Sequence, residues 1–197
     1  MSVFNRATRP GAALCVAALL SACGTPMGLT KQTTSLDLSQ KSMVLATVEV
    51  TRSNGRLMLD PRSVWLGGAN APDNKPSYFS IDDDGLDKDA GPPPRKLILV
   101  RMSLAPGKYS LGQVTGTITG FLAGGTWSIP LNQAFEVPEK SVVYLGRISA
   151  TLRERKDTDF RAGPLVPLID QAVLGISNAT FDVTVSDQSA VDLARFK

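Results

Sequence analysis

No histidine occurs in the 197 residues, and there are only two cysteines, Cys15 and Cys23. Without imidazole there is no Ser-His-Asp or Cys-His nucleophile system and no His-based zinc site. Cys15 falls in an apolar N-terminal run that is expected to be removed, which leaves Cys23 alone and excludes an internal disulfide. The domain must therefore stand on packing. Neither GxGxxG nor GxSxG occurs, and Gly107-Lys108 is followed by Tyr109 where a phosphate loop needs a hydroxyl residue. Aromatic residues make up 6% of the chain, and no Lys/Arg cluster is interleaved with them, so nothing points to nucleic acid. No cofactor or metal is expected.

Charge is scarce at the N-terminus. Arg6 and Arg9 are positive, no acidic residue precedes Cys23, and Ala12 to Leu20 is apolar. This is the layout of a secretory leader. Gly11 to Cys23 is too short to span a hydrocarbon core, which takes roughly 20 helical residues. Once Arg6 and Arg9 leave, 19 of the 21 Lys+Arg remain against 18 Asp+Glu, a balance near neutral.

The junction Leu20-Ser21-Ala22-Cys23 resembles the lipobox of bacterial lipoproteins. That resemblance covers the first 23 residues. It implies a diacylglyceryl thioether on Cys23, cleavage before it, and acylation of the new amino terminus. In such families Asp directly after the Cys tends to retain the protein at the inner membrane. Gly24 stands there instead, which implies the outer membrane, with the domain facing the periplasm. Acyl chains anchor firmly because each buried methylene contributes about 0.8 kcal/mol. An ordinary signal peptide with an incidental Cys is the alternative.

Residues 1–22 are thus expected to be a signal peptide, 23–40 a lipidated N-terminus and tether, and 41–197 the folded domain. The small, polar stretch 24–40 has no sustained period; if flexible, it would span about 20–25 Å and let the domain reorient.

Val44, Ala46, Val48 and Val50 alternate with Leu45, Thr47, Glu49 and Thr51, a period-two strand. Asn54-Gly55 follows and predicts a hairpin turn. Ser63 to Leu66 is a short strand, with Trp65 as the expected core anchor. Lys96 to Leu104 is apolar on both faces, as a central strand is. Ala105-Pro106-Gly107-Lys108 reads as a type II turn into a partner strand. Val142, Tyr144, Ile148 and Leu152 are expected on one face of a long strand, and Arg147, Ser149, Thr151 and Arg153 on the other. Leu165 to Leu174 could hold a short helix. Phe181, Val183 and Val185 mark a last strand, and Asp187 could cap a terminal helix with Ala190, Leu193 and Ala194 inward.

Together these predict an all-β fold: an antiparallel β-sandwich of about seven to nine strands with a short C-terminal helix. Leu104-Ala105-Pro106-Gly107-Lys108-Tyr109-Ser110-Leu111 looks like the L-x-P-G-x-Y-x-L hairpin of transthyretin-like and carboxypeptidase-regulatory-like modules. Phe135-x-Val137 and Val143-Tyr144-Leu145-Gly146 are similar to a strand pair of bacterial lipoproteins. The resemblance implies fold rather than activity.

Three stretches invite chemistry. Ser80-x-Asp82-x-Asp84-Gly85 matches the start of a calcium loop, but Gly91 occupies the position of the bidentate Glu, so a solvated loop without specific calcium is expected. Glu154, Asp157 and Asp159 are close enough in sequence to pair as hydrolytic carboxylates, or to form a solvated turn. Phe121, Leu122, Trp127 and Ile129 surround Gly124-Gly125 and could be an exposed partner contact or a plug over the core. A non-catalytic binding or assembly module, anchored by lipid and meeting an envelope protein partner, is the expected function. A carboxylate-based hydrolase of envelope polymers is the alternative.

Overall fold

The computed structural model describes residues 24–53, 59–68, 76–87, 95–119, 124–164 and 176–196. Among these, nine strands form: β1 Ser42–Arg52, β2 Leu59–Gly67, β3 Ser77–Ser80, β4 Leu86–Asp87, β5 Lys96–Leu104, β6 Gly107–Thr119, β7 Gly124–Val137, β8 Val142–Glu154 and β9 Ala179–Ser186. A single-turn helix, α1 Ser189–Asp192, and a 3-10 turn, Leu193–Phe196, end the described chain. The strands make two sheets, β4-β5-β1-β8-β9 and β3-β2-β6-β7. The fold is an all-β sandwich with a short C-terminal helix.

The core lies between the sheets, where alternate residues meet. Val44, Ala46, Val48 and Val50 of β1, Ile98, Val100 and Met102 of β5, and Ile148 and Ala150 of β8 face Val64 and Leu66 of β2, Leu111, Val114 and Ile118 of β6, and Trp127 and Ile129 of β7. β1 and β5 are buried on both faces over most of their length, as their unbroken aliphatic runs require.

The pairing departs first from the expected antiparallel order. β1 and β8 run parallel, while every other named pair is antiparallel. β1 is central and needs a neighbour on each side. β5 supplies one, and a strand nearly a hundred residues away supplies the other.

Two expected hairpins are instead passages between sheets. β1 does not pair with β2, because β2 lies in the other sheet between β3 and β6; the turn signal at Asn54-Gly55 itself lies outside the described residues. Likewise β5 and β6, joined through Ala105-Pro106, belong to different sheets. There the Tyr109 hydroxyl donates to the Ala105 carbonyl at 3.0 Å, four residues upstream. A tyrosine pinning a sandwich corner in this way satisfies its own hydroxyl and fixes the corner angle. The L-x-P-G-x-Y-x-L stretch therefore builds a corner.

Trp65 does not take its expected core place, and Trp127 takes the core reading of its two alternatives. Val64 and Leu66 take the inward positions of β2, so Trp65 between them faces outward and stacks on Tyr78 at 5.5 Å. Trp127 is 2% exposed, tilts against Phe181 at 5.6 Å, and donates its indole N–H to the Thr117 carbonyl at 2.9 Å. The expected helix at 165–174 lies outside the described residues.

Candidate functional site

Both open sides of the sandwich are laced by irregular chain. On the β3/β5 side the lace is Thr25 to Gly28. Thr25 donates to the Tyr78 carbonyl and accepts from the Ser80 amide, each at 2.9 Å, which ties it to β3. Gly28 then donates to the Arg101 carbonyl at 2.7 Å, which ties it to β5. Met27, between the two ties, is 5% exposed and plugs the gap. The start of the expected tether is thus part of the domain. Polar composition hid this, because lacing needs backbone groups and one apolar side chain, with no period to read. On the β7/β9 side a single residue does the work. Ala162 donates to Ala179 at 2.8 Å and accepts from Ser128 at 2.7 Å.

Gly24 is the first residue described. A Cβ on it would overlap the ring of Tyr78 and the hydroxyl of Ser80. A side chain here would have to push Tyr78 and Ser80 aside, so packing favours a glycine after Cys23 independently of any sorting role.

The outer face of the five-stranded sheet carries a buried ionic cluster. Asp192 is fully buried beneath the C-terminal segment. It accepts from the Tyr144 hydroxyl at 2.6 Å and from Arg147 Nε at 3.1 Å, and Arg147 Nη2 closes a second bond to its other oxygen. Glu49 lies 3.8 Å from Arg147 and 2.9 Å from Arg95. Burial pushes the Asp192 carboxyl up, but the hydrogen bonds from Arg147 and Tyr144 outweigh it and hold it below the usual carboxylate range. Burial first, and then the Asp192 carboxylate, raise the Tyr144 phenol.

Sequence periodicity misassigns this cluster. Tyr144 was expected on the face of Ile148, but Gly146 sits at φ +106° and inserts a bulge, so that Tyr144 opposes Leu45 while Arg147 opposes Thr47. The extra residue turns Tyr144 to the same side as Arg147. An isolated glycine inside a strand is the signal that could have revealed it. The terminal helix is corrected too: Asp192 is its buried residue, drawn inward by its bonds from Tyr144 and Arg147, while Ala190, Leu193 and Ala194 are exposed. Asp187 does accept from the Ser189 amide at 2.9 Å, just before α1.

A cleft of about 560 Å³ adjoins this face, between the chain at Leu29–Thr33 and the C-terminal turn. Lys31, Asp84, Asp87, Arg101 and Arg195 line it. Four of these five charged side chains are already engaged. Asp84 accepts the Lys31 amide at 3.1 Å, Asp87 pairs with Arg195, and Arg101 pairs with Asp82, whose carboxylate also caps the Gly85 amide at 2.7 Å. Three of the loop aspartates thus serve the fold. Among the described residues, no group of three metal-binding side chains comes together.

Of the other candidates, Asp159 accepts the Lys156 amide at 3.0 Å and Arg153 at 2.8 Å, which hold its carboxyl below the usual range. Such a group stays ionised and is unsuited to general acid work. Of the proposed contact residues, Trp127 and Ile129 are core side chains of β7 and offer no surface, because the strand's alternation turns them inward. Phe121, Leu122 and Cys23 lie outside the described residues.

The outer face of the four-stranded sheet is different in kind. Trp65, Gln113 and Pro130 form one cross-strand row with Tyr78, and Ser63, Thr115 and Ser128 form the next with Ser80. Ser63 and Thr115 share a hydrogen bond at 2.7 Å, and Trp65 Nε1 donates to Ser63 at 3.1 Å. Neither row contains a charge. A groove of about 470 Å³ runs from Gln113 and Ser128 to Phe160, which is 54% exposed.

No family model matches the chain, and no curated protein does. Among solved structures it is similar to a leucine-rich repeat protein from Bacteroides thetaiotaomicron, at 10% identity and a TM-score of 0.34, over 57% of this chain and 14% of that one. A likeness this slight carries no argument about fold or function.

Proposed function

We propose that the protein is a lipid-anchored, non-catalytic binding or assembly module of the bacterial cell envelope, held at the outer membrane and facing the periplasm. The observation that carries this is the docking of Gly24 and Thr25 onto β3. A lipid on Cys23 would be joined to a rigid edge with no slack between. The absence of histidine and the engagement of Asp82, Asp84, Asp87 and Asp159 in ion pairs or backbone hydrogen bonds support a role without catalysis.

The test is detergent phase partitioning of the wild type and Cys23→Ala. Wild type is expected in the detergent phase and the variant in the membrane-free fraction; equal aqueous partitioning of both would refute the anchor. Crosslinking in intact cells then identifies the partner.

One observation favours a hydrolase as second reading: the 560 Å³ cleft presents two carboxylates, Asp84 and Asp87. Release of fragments from envelope glycan, abolished in Asp84→Asn and Asp87→Asn, would establish it.

A further inference from the structure

We infer that the outer face of the four-stranded sheet, led by Trp65 and Tyr78, lies against the phospholipid headgroup layer, so that the anchor fixes the orientation of the domain as well as its address. This rests on the lipid-anchor reading of Cys23 and goes beyond it.

The first ground is where the described chain ends. Gly24 is seated on the Tyr78 ring and the Ser80 hydroxyl, and the hydrogen bonds of Thr25 hold it there. A trans peptide separates consecutive Cα atoms by about 3.8 Å whatever their conformation. A diacylglyceryl group on Cys23 therefore begins within about 10 Å of the Tyr78 ring, given side-chain bond lengths.

The second ground is the chemistry of the surface reached. Trp65 and Tyr78 are partly exposed and stacked, an apolar body with a polar tip each. Such side chains favour the headgroup level of a bilayer. Behind them, Ser63, Thr115, Ser128, Gln113 and Pro130 are uncharged. The hydroxyls that bond one another there need no water to be satisfied.

The third ground is the contrast with the opposite face. The five-stranded sheet is covered there by the C-terminal segment and carries Glu49, Arg95, Arg147 and Asp192 in its ion pairs. Desolvating that charged face would cost far more than desolvating the two uncharged rows around Trp65 and Ser63.

The chain holds two tryptophans, one on this face and one in the core, and this gives the experiment. Trp127→Phe leaves Trp65 as the emitter; Trp65→Phe leaves Trp127. Each full chain is purified from membranes, checked by mass for lipid on Cys23, and reconstituted into phosphatidylethanolamine/phosphatidylglycerol vesicles carrying a headgroup nitroxide. Trp65 emission is expected to shift to the blue on reconstitution and to lose intensity to the nitroxide lipid, with Trp127 emission unchanged. A protein lipidated at Cys23 whose Trp65 stays open to aqueous iodide and is not quenched by the nitroxide would overturn the orientation and leave the anchor standing. Trp65 shielded from iodide yet unquenched by lipid would also overturn it, in favour of a protein or glycan on this face. Cys23 found without lipid would overturn both. Should Trp127→Phe fold poorly, Tyr78→Cys carrying an environment-sensitive dye gives the same readout with both tryptophans in place.

Discussion

The two sides of the sandwich solve one problem by different means. On each side strand edges of both sheets border the gap, and open strand edges invite pairing with other chains. On the β3/β5 side, four residues cross the gap and bury a methionine as they go. On the β7/β9 side, one alanine joins the edges by its own amide and carbonyl, and the gap beneath is filled from within the sheets by Trp127 against Phe181. Where the strands bring a large side chain to the gap, the crossing chain needs only a methyl group. Where they do not, the crossing chain must bring the plug itself. The side with the imported plug is also the one next to Cys23, so the proposed anchor would adjoin it.

The comparison can be broken by removing each plug. Trp127→Ala should cost about 3–5 kcal/mol, as large aromatic truncations in cores do. Its melting curve decides this, and an unaltered melt would show that Trp127 is not the filling of that side.

Asp192→Ala separates the C-terminal segment from both laces. Leaving Arg147 buried without its carboxylate should cost about 3 kcal/mol, near the low end for a broken buried pair because Glu49 remains close. Acid should do the same reversibly. The folded Asp192 carboxyl titrates below its ordinary value of 3.8, so its contribution is complete above the unfolded value and is lost as pH falls below about 4. Denaturant midpoints between pH 6 and pH 3 should fall for the wild type and change less for Asp192→Ala; parallel slopes would contradict this.

Met27→Ala should cost about 2 kcal/mol, the low end for a buried methionine because the lace lies at the rim. It should also raise protease cutting near residue 28. Ala162→Gly should cost only about 1 kcal/mol, through lost methyl packing and added chain entropy. Equal costs for the two would remove the distinction between an imported plug and a resident one.

The architecture was largely legible in the sequence. β1, β5, β8 and β9 announce themselves by alternation or by unbroken aliphatic runs, and the last helix by its place after Asp187. Partners were less legible. Asn54-Gly55 and Pro106-Gly107 carry strong turn chemistry, but turn chemistry does not say whether the chain returns to the same sheet or crosses to the other. The parallel union of β1 and β8 has no local signature at all. At the candidate site, one glycine decides the outcome: Gly146 inserts a residue into β8 and moves Tyr144 across the sheet to Asp192. The roles of Trp65 and Trp127 follow from parity. Val64 and Leu66 claim the inward places around the first, while glycines upstream of the second obscured the strand that turns it inward.

The lace at Thr25–Gly28 is the feature on which the proposed orientation depends. Residue-resolved hydrogen exchange of the purified protein in detergent micelles tests it most directly. The Gly28 amide, bonded to Arg101, and the Thr25 amide, bonded to Tyr78, should exchange slowly, like the Ser128 amide bonded to Ala162 on the other side. Exchange of Thr25 and Gly28 at the rate of free chain, with Ser128 still protected, would make this segment a tether and contradict the lace.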